Sequence, residues 1–164
     1  MGDSAGLPRL VMASANPHKV AEIGLVMEGL AHLEPRPADV PDVVEDGDTL
    51  EANARLKAVA VCEATGAAAV ADDTGLEVDA LGGAPGVHSA RYAADGGTGA
   101  EGDTAANTAR LLGELAGVPA GRRTARFRTV ALVRYPDGTE VIATGTVEGH
   151  VIEEPAGDGG FGYD

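Results

Sequence analysis

The sequence has no tryptophan, only two phenylalanines and three tyrosines, and a single cysteine, Cys62. With so few aromatic side chains, its core must be built from valine, leucine, isoleucine and alanine. One cysteine excludes an internal disulfide and any cysteine-based metal cluster, and it is typical of a reducing compartment. No apolar run is long enough to cross a bilayer, and nothing resembles a signal peptide. We therefore expect a soluble cytoplasmic protein.

Positive charge is scarce as well. The chain carries 26 acidic and 12 basic residues, which gives a net charge of −14. Such a chain repels nucleic-acid backbones and anionic membranes, so neither is expected as a partner. Only two basic residues are lysines, Lys19 and Lys57. A lysine is a compact charge suited to a phosphate oxygen, so these two lysines are candidates for phosphate binding. Two residues are a small sample, and chance is the alternative explanation for their number.

The order of predicted elements indicates an α/β fold. At 164 residues and 44% hydrophobic, the chain can bury one core, and no repeat or linker divides it. We therefore predict a single domain over residues 1–164. The predicted helices are His18–Leu30, Leu50–Thr65 and 103–115. The predicted strands are Leu10–Ser14, Ala67–Ala71, Leu76–Leu81, Arg126–Arg134 and Thr139–Val147, with a surface loop at 93–102.

The first motif is "SANPHK", residues 14–19, where a predicted strand ends and a helix begins. Asn16 followed by Pro17 is typical of a helix start, and the free N–H groups there bind phosphate well. Ser14 and Asn16 would add side-chain donors, and Lys19 would lie one turn into the helix. An ordinary capped helix has the same pattern, so this motif alone leaves a purely structural role open.

The second motif is "EDGDTLEANARLKA", residues 45–58. Asn53 and Lys57 are four residues apart, so they share a helix face, at the border of its apolar stripe. Residues that line a cleft lie at such a border. Glu45 precedes the helix together with Asp46 and Asp48. Carboxylates there usually only balance the helix dipole, but one of them could bind a metal.

The third motif places Asp72 and Asp73 directly after the predicted strand Ala67–Ala71. Ligands of α/β sheets bind beyond the carboxyl ends of strands, where we expect both aspartates to lie. Two adjacent carboxylates repel, which raises a pKa or recruits a hard cation such as Mg²⁺. A carboxylate beside that cation would accept a proton from an attacking water. A solvated strand end would carry the same residues.

The fourth motif is the glycine-rich "GDGGFGYD", residues 157–164. Its glycines allow a close approach to a ligand, and Phe161 is suited to stack on a flat base. A flexible chain end is the alternative. The histidines have no ligand spacing and are not expected to bind metal; they are His18, His32, His88 and His150.

Together these motifs resemble those of the inosine triphosphate pyrophosphatases, which hydrolyse non-standard purine nucleoside triphosphates. "SANPHK" is similar to the family's Thr/Ser-x-Asn-x-x-Lys, and "ANARLKA" is similar to its Asn-Ala-x-x-Lys-Ala helix. The longer stretches "ADDTGLEVDALGGAPGVHSARYA" and "EPAGDGGFGYD" are the most specific matches. The similarity extends over nearly the whole chain.

This resemblance implies an elongated α/β fold with a bifurcated mixed β-sheet, flanking helices and a nucleotide cleft between two lobes. It also implies a homodimer. The implied reaction converts ITP, dITP or XTP to the monophosphate and pyrophosphate, with Mg²⁺ as cofactor. That reaction removes deaminated purines from the nucleotide pool.

The resemblance also implies roles for individual residues. Asp73 would bind Mg²⁺ and act as general base, and Glu45 would be the second metal carboxylate. Lys19 and Lys57 would take part in catalysis by neutralising charge on the triphosphate. The residues implied to bind substrate are Ser14, Ala15, Asn16, Pro17, His18, Lys19, Asn53, Lys57, Thr74, Phe161, Gly162, Tyr163 and Asp164, of which the last four would form the wall near the base.

Family members continue after Gly-Tyr-Asp with a segment that carries a lysine and a Ser-His-Arg sequence and helps to recognise the base. This sequence ends at Asp164, so we expect either a fragment or a protein that lacks this further segment. The leading hypothesis is a Mg²⁺-dependent pyrophosphatase, and the alternative is a non-catalytic nucleotide-binding module. A related enzyme for modified pyrimidine or methylated nucleotides is disfavoured, because such relatives have serine-rich, arginine-bearing first loops.

Overall fold

The computed structural model describes residues 6–164, so the first five residues of the predicted domain lie outside it. The chain divides into two compact units. The first unit contains the chain up to Asp73 together with Val130–Thr144, and the second contains Thr74–Thr129 and Gly145–Asp164. Within residues 6–164, no helix has the length and apolar character that a membrane crossing requires.

The described strands form one mixed sheet. Its members are β1 (Arg9–Met12), β2 (His32–Glu34), β3 (Ala69–Val78), β4 (Pro85–Gly86), β5 (Thr124–Arg134) and β6 (Glu140–His150). The strand order is β2-β1-β3-β5-β6, and β4 pairs with β3. β1 is parallel to β2 and β3, whereas β4 is antiparallel to β3. The helices are α1 (Pro17–Val26), α2 (Leu50–Thr65), α3 (Tyr92–Asp95) and α4 (Thr104–Glu114). The predicted α/β class with a mixed sheet is confirmed.

The first helix begins as predicted but ends early. Asn16 is its N-cap, with extended backbone, and Pro17 occupies the first helical position. The helix ends at Val26 and not at the predicted Leu30. The reason is Gly29, which adopts the left-handed conformation at φ 75°, so the hydrogen-bond ladder cannot continue through it.

The second helix matches its prediction at both ends. The Thr49 hydroxyl accepts a hydrogen bond from the Ala52 N–H at 3.0 Å, and Gly66 stops the helix at φ 67°. The predicted apolar stripe is buried; it comprises Leu50, Ala54, Ala58, Val61 and Cys62. Burial of this stripe fixes the rotation of α2 about its axis, and that rotation sets the positions of Asn53 and Lys57.

Replacing Thr49 with alanine is expected to lower the free energy of unfolding by about 1 kcal/mol, because the Ala52 N–H loses its side-chain partner. Urea denaturation followed by circular dichroism measures this change. Thr49→Ser keeps the hydroxyl and should retain most of the stability. Equal losses in both variants would contradict the capping role.

The third strand differs from its prediction. The sequence predicts two separate extended pieces, Ala67–Ala71 and Leu76–Leu81, with the aspartates in the break between them. The structure has one continuous strand, Ala69–Val78, and Asp72 and Asp73 lie inside it. Polar residues do not end the strand here, because both carboxylates find cationic partners without leaving the sheet.

The second unit has its own apolar core. Its buried members are Leu76, Val78, Tyr92, Leu111, Leu115 and Ala125. Asp103 caps α4 as predicted, by accepting the Ala106 N–H. The predicted strands Arg126–Arg134 and Thr139–Val147 are confirmed, although both are longer than predicted.

The segment predicted as a mobile surface loop, residues 93–102, is only partly irregular. It begins inside α3, and Ala93 is fully buried. The Asn107 side chain accepts the Ala93 N–H at 2.7 Å and donates to the Ala90 carbonyl at 3.0 Å. A buried helix asparagine therefore fixes the start of this segment.

Candidate functional site

The site in the first unit begins where β1 ends. Met12, the last residue of β1, pairs with Val70 of β3 in the parallel register, and the Ala13 N–H donates to the Val70 carbonyl at 2.9 Å. Because the two strands run in the same direction, Asp72 and Asp73 lie beyond the carboxyl end of β1. The expected strand-end location holds for β1 and not for β3, which continues past both residues.

Lys19, one turn into α1, forms an ion pair with Asp72. The Lys19 Nζ lies 2.8 Å from the Asp72 Oδ2, and the side chains are only 20% and 11% exposed. The second carboxylate oxygen of Asp72, Oδ1, is buried and has no hydrogen-bond partner among the described residues. Lys19 therefore carries most of the electrostatic compensation for a buried charge.

Lys57, on α2, lies between two other carboxylates. Its Nζ is 3.4 Å from the Glu45 Oε1 and 3.6 Å from the Asp73 Oδ1. The Asp73 side chain is 12% exposed, whereas that of Glu45 is 40% exposed. The structure thus brings together, within one unit, three of the residues that the sequence assigned to metal and phosphate binding.

The pKa of Asp73 is raised above its ordinary value of 3.8, chiefly because burial disfavours the charged form. Lys57 opposes this shift and Glu45 adds to it through repulsion, while smaller lowering effects come from Lys19 and from a hydrogen bond with Asn53. A carboxylate of raised pKa accepts a proton more readily than an ordinary aspartate does. The surroundings of Asp73 therefore favour the protonated form of its carboxyl.

The interpretation of Asp72 and Asp73 as one repelling pair needs correction. Successive residues of a strand point to opposite faces, and these two carboxylates have different ion-pair partners, Lys19 and Lys57. The like charge that raises the pKa of Asp73 is that of Glu45. The sequence pattern offered Glu45 as one of three candidate metal carboxylates, and the resemblance singled it out. The sequence did not indicate that Asp72 would pair with Lys19.

The start of α1 is less open than the sequence suggests. The Asn16 Oδ1 accepts the N–H groups of His18 at 2.9 Å and Lys19 at 3.5 Å, and the Ser14 hydroxyl accepts the Asn16 N–H at 3.1 Å. Ala15, Asn16, Pro17 and His18 are exposed on the surface. A phosphate at this turn would meet side chains first, and it would have to displace Asn16 to reach those two N–H groups.

The remaining predicted substrate residues belong to the second unit. The Thr74 hydroxyl is hydrogen-bonded to that of Thr129 at 2.8 Å. Tyr163 packs against the apolar core of this unit, and its hydroxyl donates to the Ser89 carbonyl at 2.6 Å. Phe161 is half-buried, whereas Gly162 and Asp164 are exposed.

Replacing Lys19 with methionine is expected to reduce the free energy of unfolding by about 1–3 kcal/mol, because the Asp72 charge would remain buried without its partner. Chemical denaturation of the variant measures this loss. The double variant Lys19→Met/Asp72→Asn removes the uncompensated charge and should recover part of the stability. A double variant that is less stable than the single one would contradict the pairing.

An α/β protein with a mixed sheet has here two lysines paired with three carboxylates beyond the carboxyl end of β1, the place where ligands of α/β sheets usually bind. The chain belongs to the Ham1 family, whose sequence profile matches residues 10–164. It is 52% identical over 164 residues to a dITP/XTP pyrophosphatase of Nitratidesulfovibrio vulgaris, with 94% of this chain and 77% of that protein covered. The family resemblance that the motifs indicated is confirmed.

Two solved structures support the same assignment. One is a nucleoside-triphosphatase/dITP/XTP pyrophosphatase from Mycobacterium abscessus, with 43% identity, a TM-score of 0.76, and 95% of this chain and 80% of that chain covered. The other is a HAM1 protein from Coxiella burnetii, with 35% identity, a TM-score of 0.84, and 96% and 80% covered. The fold of this chain is therefore that of the family.

Proposed function

We propose that this chain is a nucleoside triphosphate pyrophosphatase that acts on deaminated purine nucleotides such as dITP, XTP and ITP. The names of its relatives support the substrate class. The structural observation that carries the proposal is the position of the Lys57 ammonium, within 3.4 Å of Glu45 and 3.6 Å of Asp73. A cation and a buried base are thus placed together, as hydrolysis of an anionic phosphoanhydride requires.

Asp73 accepts the proton in this reaction. Its carboxylate takes one proton from a water molecule as the water oxygen forms a bond to the α-phosphorus. The bond from the α-phosphorus to the oxygen that bridges to the β-phosphorus breaks, and pyrophosphate leaves with that oxygen. The products are the nucleoside monophosphate and pyrophosphate. Lys57 and Lys19 stabilise the negative charge that develops on the phosphate oxygens.

The residues around Asp73 fit a magnesium ion. Mg²⁺ is usually bound by one or two protein carboxylates, with phosphate oxygens and water completing its shell. Glu45 and Asp73 supply two carboxylates, both near the Lys57 ammonium. The described residues contain no cluster of three or more potential metal ligands, so phosphate oxygens and water would supply the other ligands. Mg²⁺ bound by these two residues would neutralise charge on the substrate phosphates.

Pyrophosphate release tests the function directly. The purified chain is incubated with dITP and Mg²⁺, and both pyrophosphate and orthophosphate are measured, with dATP as the control nucleotide. We expect pyrophosphate and monophosphate in equal amounts from dITP and much slower turnover of dATP. Orthophosphate alone would indicate a different phosphatase, and binding without turnover would indicate an inactive nucleotide-binding module.

Three further properties belong to this proposal and rest on the resemblance: Mg²⁺ dependence, a homodimer and a cytoplasmic location. Sedimentation analysis tests the dimer, and activity after chelation tests the metal. The turn Ser14–Lys19 is proposed to bind the triphosphate, whereas Thr74 and residues 161–164 stay predictions as substrate contacts.

A further inference from the structure

Asn53 is the most deeply buried polar residue in the described part of the first unit, with only 1% of its surface exposed. The sequence suggested that it lines a cleft and contacts substrate. In the structure its side-chain oxygen accepts the Gly47 N–H at 2.8 Å, and the side chain lowers the pKa of the neighbouring Asp73 carboxyl. The amide of Asn53 is therefore engaged by the protein's own groups.

Gly47 shows that this contact is tightly packed. A Cβ atom at this position would lie 2.7 Å from the Asn53 Oδ1, 2.8 Å from the Ala52 Cβ and 3.2 Å from the Asn53 backbone nitrogen. Contacts this short do not occur without a shift of the neighbouring atoms. The backbone of Gly47 has no left-handed φ, so close approach explains the glycine here, and conformational freedom does not.

The segment fixed by this contact is Glu45–Asp48, which carries the proposed metal ligand Glu45. Glu45 contacts Lys57 at 3.4 Å, but Lys57 is also proposed to bind the substrate phosphates, which would compete for its ammonium. The Gly47–Asn53 hydrogen bond does not involve Lys57. It can therefore keep Glu45 near Asp73 when Lys57 turns to the substrate.

From this geometry we infer that Asn53 is a positioning residue. It fixes the Glu45–Asp48 segment against α2, keeps Glu45 beside Asp73, and makes no contact with the nucleotide. This inference rests on the proposed function for the roles of Glu45 and Asp73. The hydrogen bond and the close approach of Gly47 can be tested without that function.

The experiment compares Asn53→Ala and Gly47→Ala with the control Asn107→Ala. Asn107 is also a buried helix asparagine that accepts a backbone N–H, at 2.7 Å, but it lies in the second unit. Three quantities are measured: kcat and KM for dITP, the affinity for Mn²⁺ without nucleotide by electron paramagnetic resonance, and hydrogen exchange of the Gly47 amide.

We expect Asn53→Ala and Gly47→Ala to lower kcat and to weaken Mn²⁺ binding by about 10- to 100-fold, as is usual for residues that orient metal ligands. KM for dITP should change little, and the Gly47 amide should lose protection in Asn53→Ala. Asn107→Ala should leave kcat, KM and Mn²⁺ affinity per folded molecule unchanged. If Asn53→Ala does not fold, Gly47→Ala is the deciding variant, since it keeps the Asn53 amide and disturbs the contact between that amide and residue 47.

Two results would overturn the inference. A raised KM with unchanged kcat in Asn53→Ala, together with a neutral Gly47→Ala, would mean that Asn53 contacts substrate. Unchanged Mn²⁺ affinity and unchanged exchange of the Gly47 amide would mean that Asn53 does not position the segment. If the wild-type chain releases no pyrophosphate, the proposed function fails, whereas Mn²⁺ binding and amide exchange still decide the role of Asn53.

Discussion

Asp73→Asn is expected to reduce kcat by about 100-fold or more, because asparagine cannot accept the proton of the attacking water. The folded structure should persist, since the two side chains have nearly the same shape and Asn53 and Lys57 remain in place. Steady-state pyrophosphate release measures the loss, and circular dichroism checks the fold. Asp39→Asn, at an exposed carboxylate, is the matched control and should retain full activity. Near-normal turnover in Asp73→Asn would contradict the assignment of the base.

The same substitution should stabilise the protein at neutral pH. The raised pKa of Asp73 means that the native state binds its proton more tightly than the unfolded state does. Stability is therefore lost as pH rises from the ordinary value of 3.8 through the raised value in the folded protein. Asparagine carries no charge, so this loss disappears in the variant. The variant should show a higher Tm than the wild type at pH 7, and the difference should shrink as pH falls below that range.

Lys57→Gln is expected to lower kcat/KM on the order of 100-fold, which is typical when one partner of a largely buried charge cluster is removed. The variant loses the cation that offsets the charges of Glu45, Asp73 and the triphosphate. Lys57 also makes the largest lowering contribution to the pKa of Asp73. The acidic limb of the pH–rate profile should therefore move to higher pH in the variant.

The matched control for Lys57 is Arg55→Gln, on the same helix. Arg55 pairs with Glu51 and Glu140, and we assign it no role in the site. The Arg55→Gln substitution should leave both the affinity for the nucleotide and the pH–rate profile unchanged. Wild-type affinity for dITP and an unmoved acidic limb in Lys57→Gln would show that Lys57 belongs only to the helix surface.

The sequence predicts best those parts of the fold whose cause is local. Asn16 and Thr49 cap their helices and Gly66 ends one, because a cap depends on three or four neighbouring residues. The continuity of β3 was not predictable in this way. It depends on how far the neighbouring strands extend and on whether Asp72 and Asp73 find cations within the fold, and both conditions are set by residues distant in sequence.

The same distinction between local and long-range causes applies to the candidate site. The two lysines and the carboxylates could be selected from composition, motif spacing and family resemblance. Their pairing could not, since it follows from the alternation of side chains along β3 and the parallel register with β1. The hydrogen bond between Gly47 and Asn53 was missed as well, because a glycine in a loop allows many backbone conformations and its sequence position does not show which side chain lies against it.

The single cysteine gives α2 an intrinsic probe. Cys62 is 5% exposed, and burial raises the pKa of its thiol, so thiol-specific reagents will react with it only when the helix transiently opens. That helix also carries Asn53 and Lys57. The labelling rate of one sulfur atom, with no engineered tag, therefore reports how often the helix that carries the proposed site opens, and a ligand that binds the folded helix should slow it.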